Sequence, residues 1–228
     1  YNNTTNLLYL IPTPIGNLED ITLRALRLLK EADLILAEDT RVSSVLLNYY
    51  DISKRVESYH LKNEHYKTSR IIEKLRTGIT IAMISDAGTP AVSDPGYLLV
   101  RHALEARIKV KCLPGPTALI PAIVQSGLPC DRFIFEGFLP HKKGRVNRLK
   151  IMAKESRTLV FYESPHKLLK LFEQMIPFFG IERRLAVIKE ISKIYEETFR
   201  GTLEEAKLFF EANHPKGEFV IVVEGTKK

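Results

Sequence analysis

The sequence predicts an α/β protein built from two successive α/β domains. Short apolar runs alternate with longer segments of helical period, and glycine and proline gather in loops directly after those runs. The alternation also changes its proportions after Ser126-Gly127-Leu128-Pro129, which places a boundary between domains 1–127 and 128–228. With 228 residues, 45% hydrophobic and 27% charged, the chain is outside the disordered, collagenous and membrane classes. Its length accommodates one large domain or two of roughly 100 residues, so pattern has to choose.

In the first half, Leu7 to Ile11, Leu34 to Ala37, Ile79 to Ile84 and Val110 to Leu113 read as buried strands. Helices are expected over Ile21 to Ala32, Val42 to Tyr50, Glu64 to Thr77, Tyr97 to Ala106 and Thr117 to Gln125. In the first of these, Ala25, Leu28, Leu29 and Ala32 share one helical face after a polar start at Asp20. Such βα alternation implies a mainly parallel sheet covered on both faces. In the second half, strands are expected over Arg132 to Phe138, Thr158 to Tyr162, Leu185 to Ile191, Ile194 to Arg200 and Phe219 to Glu224. Helices are expected over Gly144 to Lys154, Pro165 to Phe178 and Leu203 to Ala212, the last capped by Thr202 after a Gly201 turn.

Cys112 and Cys130 have no metal-ligand spacing and are too few for a disulfide scaffold, which points to a reducing cytoplasm. No basic segment precedes the apolar run at Leu7, and no apolar stretch reaches the roughly 18 to 20 residues that span a bilayer. A cytoplasmic chain without membrane association is the expectation.

Three loops follow predicted strands of the first half: Pro12 to Asn17, Ser85 to Pro90 and Pro114 to Ala118. Loops at the carboxyl ends of parallel strands border the ligand crevice, and glycine there lets backbone approach a ligand closely. Each loop alone is equally well explained as a tight turn with proline opening a helix, but three together suggest one pocket. None carries a dinucleotide, P-loop or nucleophile-elbow motif. Glu38-Asp39-Thr40-Arg41 reads as a strand end turning into a capped helix rather than as a catalytic group.

In the second half, Glu163 and the pair Lys189-Glu190 stand at predicted strand ends. A carboxylate beside aromatic rings there is a candidate base, with helix capping and a sheet-end ion pair as the plainer alternatives. His141 to Lys150 holds five Lys or Arg and no acid, and supplies much of the net +7. Within it Lys142, Lys143, Arg145 and Arg148 are candidate contacts to nucleic-acid phosphates; a solvated helix face is the alternative.

The blocks L-I-P-T-P-I-G-N, A-E-D-T-R, S-D-A-G-T-P-A-V-S-D-P-G-Y, L-P-G-P-T-A, F-E-G-F-L-P, F-Y-E-S-P-H-K and K-G-E-F-V-I-V-V-E-G occur in order from Leu7 to Gly225. Together they resemble the ribosomal RNA small subunit methyltransferase I family of the tetrapyrrole methylase superfamily. The resemblance implies two α/β domains with S-adenosylmethionine in the cleft between them and a homodimer; methyl transfer from a sulfonium requires no metal, and no His/Cys/Asp cluster with ligand spacing offers one. The resemblance also implies methyl transfer to the ribose 2′-hydroxyl of a cytidine in 16S rRNA, leaving S-adenosylhomocysteine. Carried over residue by residue, cofactor binding falls on Pro14, Ile15, Gly16, Asp86, Gly88, Thr89, Pro90, Val92, Thr117 and Ala118. From the second half it falls on Tyr162, Ile188 and Glu218. For the chemistry, Glu163 or Glu190 is expected as proton acceptor and Lys189 as stabiliser of the developing alkoxide. Pro12 and Arg107 depart from the family pattern at positions where glycine is common, and the sequence ends without the carboxyl-terminal extension of longer members, which bears on substrate docking. Two rival readings follow: a tetrapyrrole methyltransferase of the same superfamily, and a non-enzymatic RNA-binding module of ribosome assembly.

Overall fold

The computed structural model describes residues 6–140 and 143–226, which form two compact units, 1–117 and 118–228. In the first unit, strands β1 (Leu7–Leu10), β2 (Leu34–Ala37), β3 (Val56–Ser58), β4 (Thr80–Ile84) and β5 (Lys109–Cys112) form one sheet in the order β3-β2-β4-β1-β5. Every pairing in it is parallel. Alternate residues leave by opposite faces, so Leu34 and Leu36 join one apolar cluster and Ile35 and Ala37 the other. Helices α3 (Glu64–Arg76) and α4 (Tyr97–Glu105) cover the first face; α1 (Leu23–Glu31) and α2 (Thr40–Tyr49) contribute to the second. The expected apolar stripe of α1 is buried, but the helix starts two residues later than expected, because Thr22 rather than Asp20 caps it, accepting from the Ala25 N–H at 3.0 Å.

The second unit carries α5 (Leu119–Ser126), β6 (Phe133–Phe138), α6 (Arg145–Met152), β7 (Thr158–Glu163), α7 (Pro165–Phe179), β8 (Arg184–Lys189), β9 (Glu197–Thr202), α8 (Leu203–Ala212) and β10 (Phe219–Val223). Its sheet runs β6-β7-β10-β8-β9 and is mixed: β6 and β7 are parallel, and the remaining neighbours antiparallel. Leu159, Phe161, Leu185, Val187, Phe219, Ile221 and Val223 face a core filled from α6, α7 and α8. α5 packs on β8, β9 and β10. Its Gln125 carbonyl accepts from Arg200 Nε at 3.0 Å, and its Gln125 amide donates to Glu196 at 2.9 Å. The division between the units therefore follows Thr117, ten residues before the boundary expected from sequence. Gly127, at φ +73°, caps α5 and marks a helix end, which locally resembles a linker.

Thr202 accepts from the Glu205 N–H at 3.2 Å while Glu205 accepts from the Thr202 N–H at 2.8 Å, a complete capping box for α8. Thr202→Ala should cost about 1 kcal/mol, read as a Tm loss of roughly 2–4 °C. A variant that melts with the wild type would show that the box contributes nothing.

Candidate functional site

In the first unit the three glycine- and proline-bearing loops leave the carboxyl ends of β4, β1 and β5, which are neighbours in the sheet. Their backbones are tied together. Thr13 and Gly88 exchange two N–H to carbonyl bonds at 2.9 Å each, and the buried Thr13 hydroxyl donates to the Ser85 carbonyl at 2.9 Å. The Thr89 hydroxyl donates to the Pro116 carbonyl at 3.3 Å. Gly115 lies so close to Pro12 that a Cβ there would stand 2.7 Å from the Pro12 Cβ. Gly88 has φ +77° and supplies the left-handed turn; a Cβ there would stand 3.5 Å from Ile15, an ordinary contact. Pro14, Ile15, Gly16, Asp86, Gly88, Thr89, Pro90, Val92 and Thr117 thus belong to one braced rim. Among these, Gly16, Asp86 and Val92 are exposed, whereas Gly88 and Pro90 are buried and act as framework.

The continuation of the β4 loop is also shaped. Ala91 and Ser93 take φ +70° and +62°, and Gly96 takes φ +133°. Non-glycine residues in this region cost energy unless their surroundings enforce it. The Ala91 N–H to Pro95 carbonyl bond at 3.1 Å and the Val92 N–H to Thr89 carbonyl bond at 3.3 Å provide that enforcement.

The end of β2 joins the same rim. As expected, Asp39 caps α2, accepting from the Arg41 N–H at 2.9 Å, and it also pairs with the Arg41 guanidinium at 2.6 Å. Its own N–H donates to the Asp86 carboxylate at 3.0 Å, a link between two strand ends that sequence reasoning missed. Hydrogen bonds from Arg41 hold Asp39 down to about 2. Burial, reinforced by Asp94, Asp86 and Asp39, pushes Glu38 up to about 7; burial and Asp86 push Asp94 up to about 6. The sequence signal for this was four acids near two strand ends, legible only once β2 and β4 are known to be neighbours.

The folded chain holds the Glu38 proton up to about 7, whereas an unfolded chain releases it near the ordinary 4.5. Glu38 therefore makes stability fall as pH rises between those values. Glu38→Gln should gain Tm relative to the wild type as pH increases from about 5 to 8. A pH-independent difference would contradict the shift.

In the second unit, β7 and β8 both run antiparallel to β10, and β6 runs parallel to β7, so the carboxyl ends of β6, β7 and β8 share one end of the sheet. The candidate residues Tyr162, Glu163, Lys189 and Glu190 are all there, with the basic segment following β6. A surface groove lined by Asp131, Arg132, Phe133, Glu155, Ser156 and Arg157 lies at the opposite end. Tyr162 is half-buried, edge-on to Phe135 at 4.9 Å and to Phe138 at 5.6 Å. Ile188 is fully buried in β8. Ala118 opens the second unit.

The polar residues at this end are engaged differently from what their sequence positions suggest. Glu163 is buried, accepting from Arg145 Nη2 at 2.9 Å and from the Ser164 N–H at 2.9 Å. Each oxygen accepts one bond, and the side chain is only 4% accessible, so burial leaves little access for a substrate proton. Glu190 accepts from Lys193 at 2.9 Å and from the Glu218 N–H at 2.8 Å. Burial opposes its charge, but Lys193 and the Glu218 N–H outweigh this and lower its pKa. Lys193 also reaches Glu218 at 2.8 Å, and Lys189 pairs with Glu197 at 3.5 Å.

Of the four candidate phosphate contacts, Lys142 lies outside the described residues, and Lys143 is exposed. Arg145 is buried, with its side chain 6% accessible, so it is not a surface cation. Arg148 is half-exposed but chelates Glu136 through two bonds of 2.8 Å. A helical reading of the basic run places these side chains on the surface. What it misses is that Arg145 and Arg148 find carboxylates on neighbouring strands β7 and β6.

Both cysteines are free thiols, and no group of three or more His, Cys, Asp or Glu among the described residues is arranged to hold a metal ion. No helix among them is long and apolar enough to cross a membrane.

This architecture is that of a methyltransferase: residues 7–207 match the family model described as tetrapyrrole (corrin/porphyrin) methylases, and the chain belongs to that family. Solved structures agree on the fold. A cobalt precorrin-4 methyltransferase superposes with a TM-score of 0.70 at 20% identity, covering 96% of this chain and 95% of that one. The uroporphyrin-III C-methyltransferase of Thermus thermophilus gives 0.63 at 23%, covering 95% and 94%. Much nearer in sequence are proteins named ribosomal RNA small subunit methyltransferase I. That of Synechocystis sp. is 48% identical over 96% of this chain and 79% of its own length; that of Thermotoga maritima is 46% identical over 96% and 98%.

Proposed function

We propose that this chain transfers a methyl group from S-adenosylmethionine to the ribose 2′-hydroxyl of a cytidine in 16S rRNA of the small ribosomal subunit. The observation that carries the reading is the braced rim of the first unit, in a chain nearly half identical to proteins named for ribosomal RNA methylation over almost its whole length. S-adenosylmethionine brings an electrophilic methyl on a positively charged sulfur, together with an ammonium group. The rim fits such a ligand. Its backbone is approachable at exposed Gly16, and it carries the carboxyl groups of Asp86, Asp94 and Glu38, the last of which gains its charge near neutral pH. Pro14, Ile15, Gly16, Asp86, Thr89, Val92 and Thr117 are the residues assigned to hold it, with Gly88 and Pro90 behind them. Ala118, Tyr162, Ile188 and Glu218 are the assignments in the second unit.

The acceptor hydroxyl gives up one proton as its oxygen bonds to carbon, so alignment and a modest base are what the protein has to supply. Among the original candidates for that proton, Glu190 keeps the more accessible carboxylate, with Lys189 beside it. Exposed Lys143, with Lys142, remains assigned to rRNA phosphates. The active species is proposed to be a homodimer in the cytoplasm, and light scattering should return twice the mass of one chain.

Glu38 gains its charge near neutral pH, and charge there favours a cationic ligand. Affinity for S-adenosylmethionine should therefore rise severalfold between about pH 6 and 8, and Glu38→Gln should flatten the rise. Small ribosomal subunits, naked rRNA and uroporphyrinogen, each incubated with methyl-labelled S-adenosylmethionine, decide the substrate class. Label is expected on rRNA in one or both of the first two. Label on uroporphyrinogen alone would support the tetrapyrrole reading, and failure to bind the cofactor would support a non-enzymatic module.

A further inference from the structure

Arg145 is the first residue of α6, and Glu163 the last of β7. Their side chains are 6% and 4% accessible and meet at 2.9 Å, and Arg145 Nε donates to Gln174 of α7 at 2.7 Å. Desolvating two charges is costly, and an apolar pair of similar volume is often as stable. What an ion pair adds is direction: the planar guanidinium fixes its partners' positions, which packed methyl groups do not.

Direction is what the start of α6 otherwise lacks. Gly144 occupies its N-cap at φ +87° with no side-chain cap, and the first turn contains no acid. The helix has only eight residues, too few to be stable without tertiary support. Arg145 reaches inward to β7 and α7 from the first position, and Arg148 reaches Glu136 of β6 from the next turn. Lys143 and Lys142 immediately precede this anchored turn.

We infer that Arg145 and Glu163 are a positioning pair: they pin the first turn of α6 to the end of β7 and so set where adjoining Lys143 presents its charge to rRNA. This rests on the proposed rRNA substrate. It replaces two separate roles, phosphate contact for Arg145 and proton acceptor for Glu163, by one shared role in which neither touches substrate. Through β7 the same pair is one residue from Tyr162, so the basic segment and a proposed cofactor residue are referenced to a single strand end.

A single substitution risks misfolding, so the test uses Arg145→Met combined with Glu163→Leu, alongside Lys143→Ala. Four readouts are compared with the wild type: melting temperature, amide exchange over residues 145–152, the salt dependence of rRNA affinity, and kcat and KM for small subunits. The paired variant should melt near the wild type. Its α6 amides should exchange at least tenfold faster, and its KM should rise roughly tenfold with kcat within a few-fold, the scale on which small misplacements act. Lys143→Ala should lower the salt slope by about one and leave the α6 exchange unchanged; the paired variant should lower the slope by no more than this, and adding Lys143→Ala to it should lower the slope no further. Three results would overturn the inference: slope losses that add when Lys143→Ala is combined with the paired variant, unchanged exchange with unchanged KM, or a collapse of kcat at constant KM. A wild type with no salt-dependent rRNA affinity would sink the proposed substrate instead, and the exchange comparison would then decide alone whether the pair holds α6.

Discussion

Glu163→Ala is expected to destabilise the chain by about 3–5 kcal/mol, a loss of roughly 10 °C in Tm. The size follows from what is left behind. Arg145 is buried and keeps only Gln174 once the carboxylate is gone, so an uncompensated guanidinium remains in a dry site. Removing both charges avoids that cost, so Arg145→Met with Glu163→Leu should recover most of the loss in thermal or urea melts. If Glu163→Ala melts within about 1 kcal/mol of the wild type, the pair is more solvated than its burial indicates, and both the energetic and the positioning arguments fail.

Gly115→Ala is expected to weaken S-adenosylmethionine binding by at least tenfold while costing about 1–3 kcal/mol in stability. The added Cβ would stand 2.7 Å from the Pro12 Cβ, and a proline ring cannot swing aside as a long side chain does. The β5 loop would have to retreat from the β1 loop, straining the Thr13–Gly88 and Thr89–Pro116 ties that hold the rim together. Isothermal titration with cofactor measures the affinity. Unchanged binding would show that the spacing of these loops does not shape the cofactor site.

Most of the fold was legible in the sequence because its signals are local. The run Leu34 to Ala37 is buried along its whole length, as a central parallel strand requires, and the stripe of Ala25, Leu28 and Leu29 is buried as periodicity demands. Thr202 caps its helix where the Gly-Thr turn suggested. By contrast, β3 offers only Val56-Glu57-Ser58 at a sheet edge, with no apolar run to reveal it. The division between the units was misplaced because Gly127 ends a helix, and a cap and a linker look alike until packing shows which sheet α5 covers.

The candidate site divides the same way. Glycine and proline made the three loops visible because backbone geometry leaves a compositional trace. Thr13 and Ser85, which brace those loops, leave none; a buried hydroxyl on a distant carbonyl is a tertiary fact. The pairing of Arg145 with Glu163 was equally invisible, since 18 residues separate them and each on its own looks like a functional charge. Glu38 is the reverse case. It reads as part of a helix start, and only the fold shows that burial, reinforced by the acids across the strand ends, raises its pKa to about 7.

The most direct test of the proposed activity is the chemical position of the transferred methyl. After the wild-type chain labels small subunits, the rRNA is hydrolysed in alkali, which cannot cleave next to a methylated 2′-oxygen. The account predicts label in alkali-resistant dinucleotides that digest further to 2′-O-methylcytidine. Label recovered on a base, or in alkali-labile mononucleotides, would contradict it.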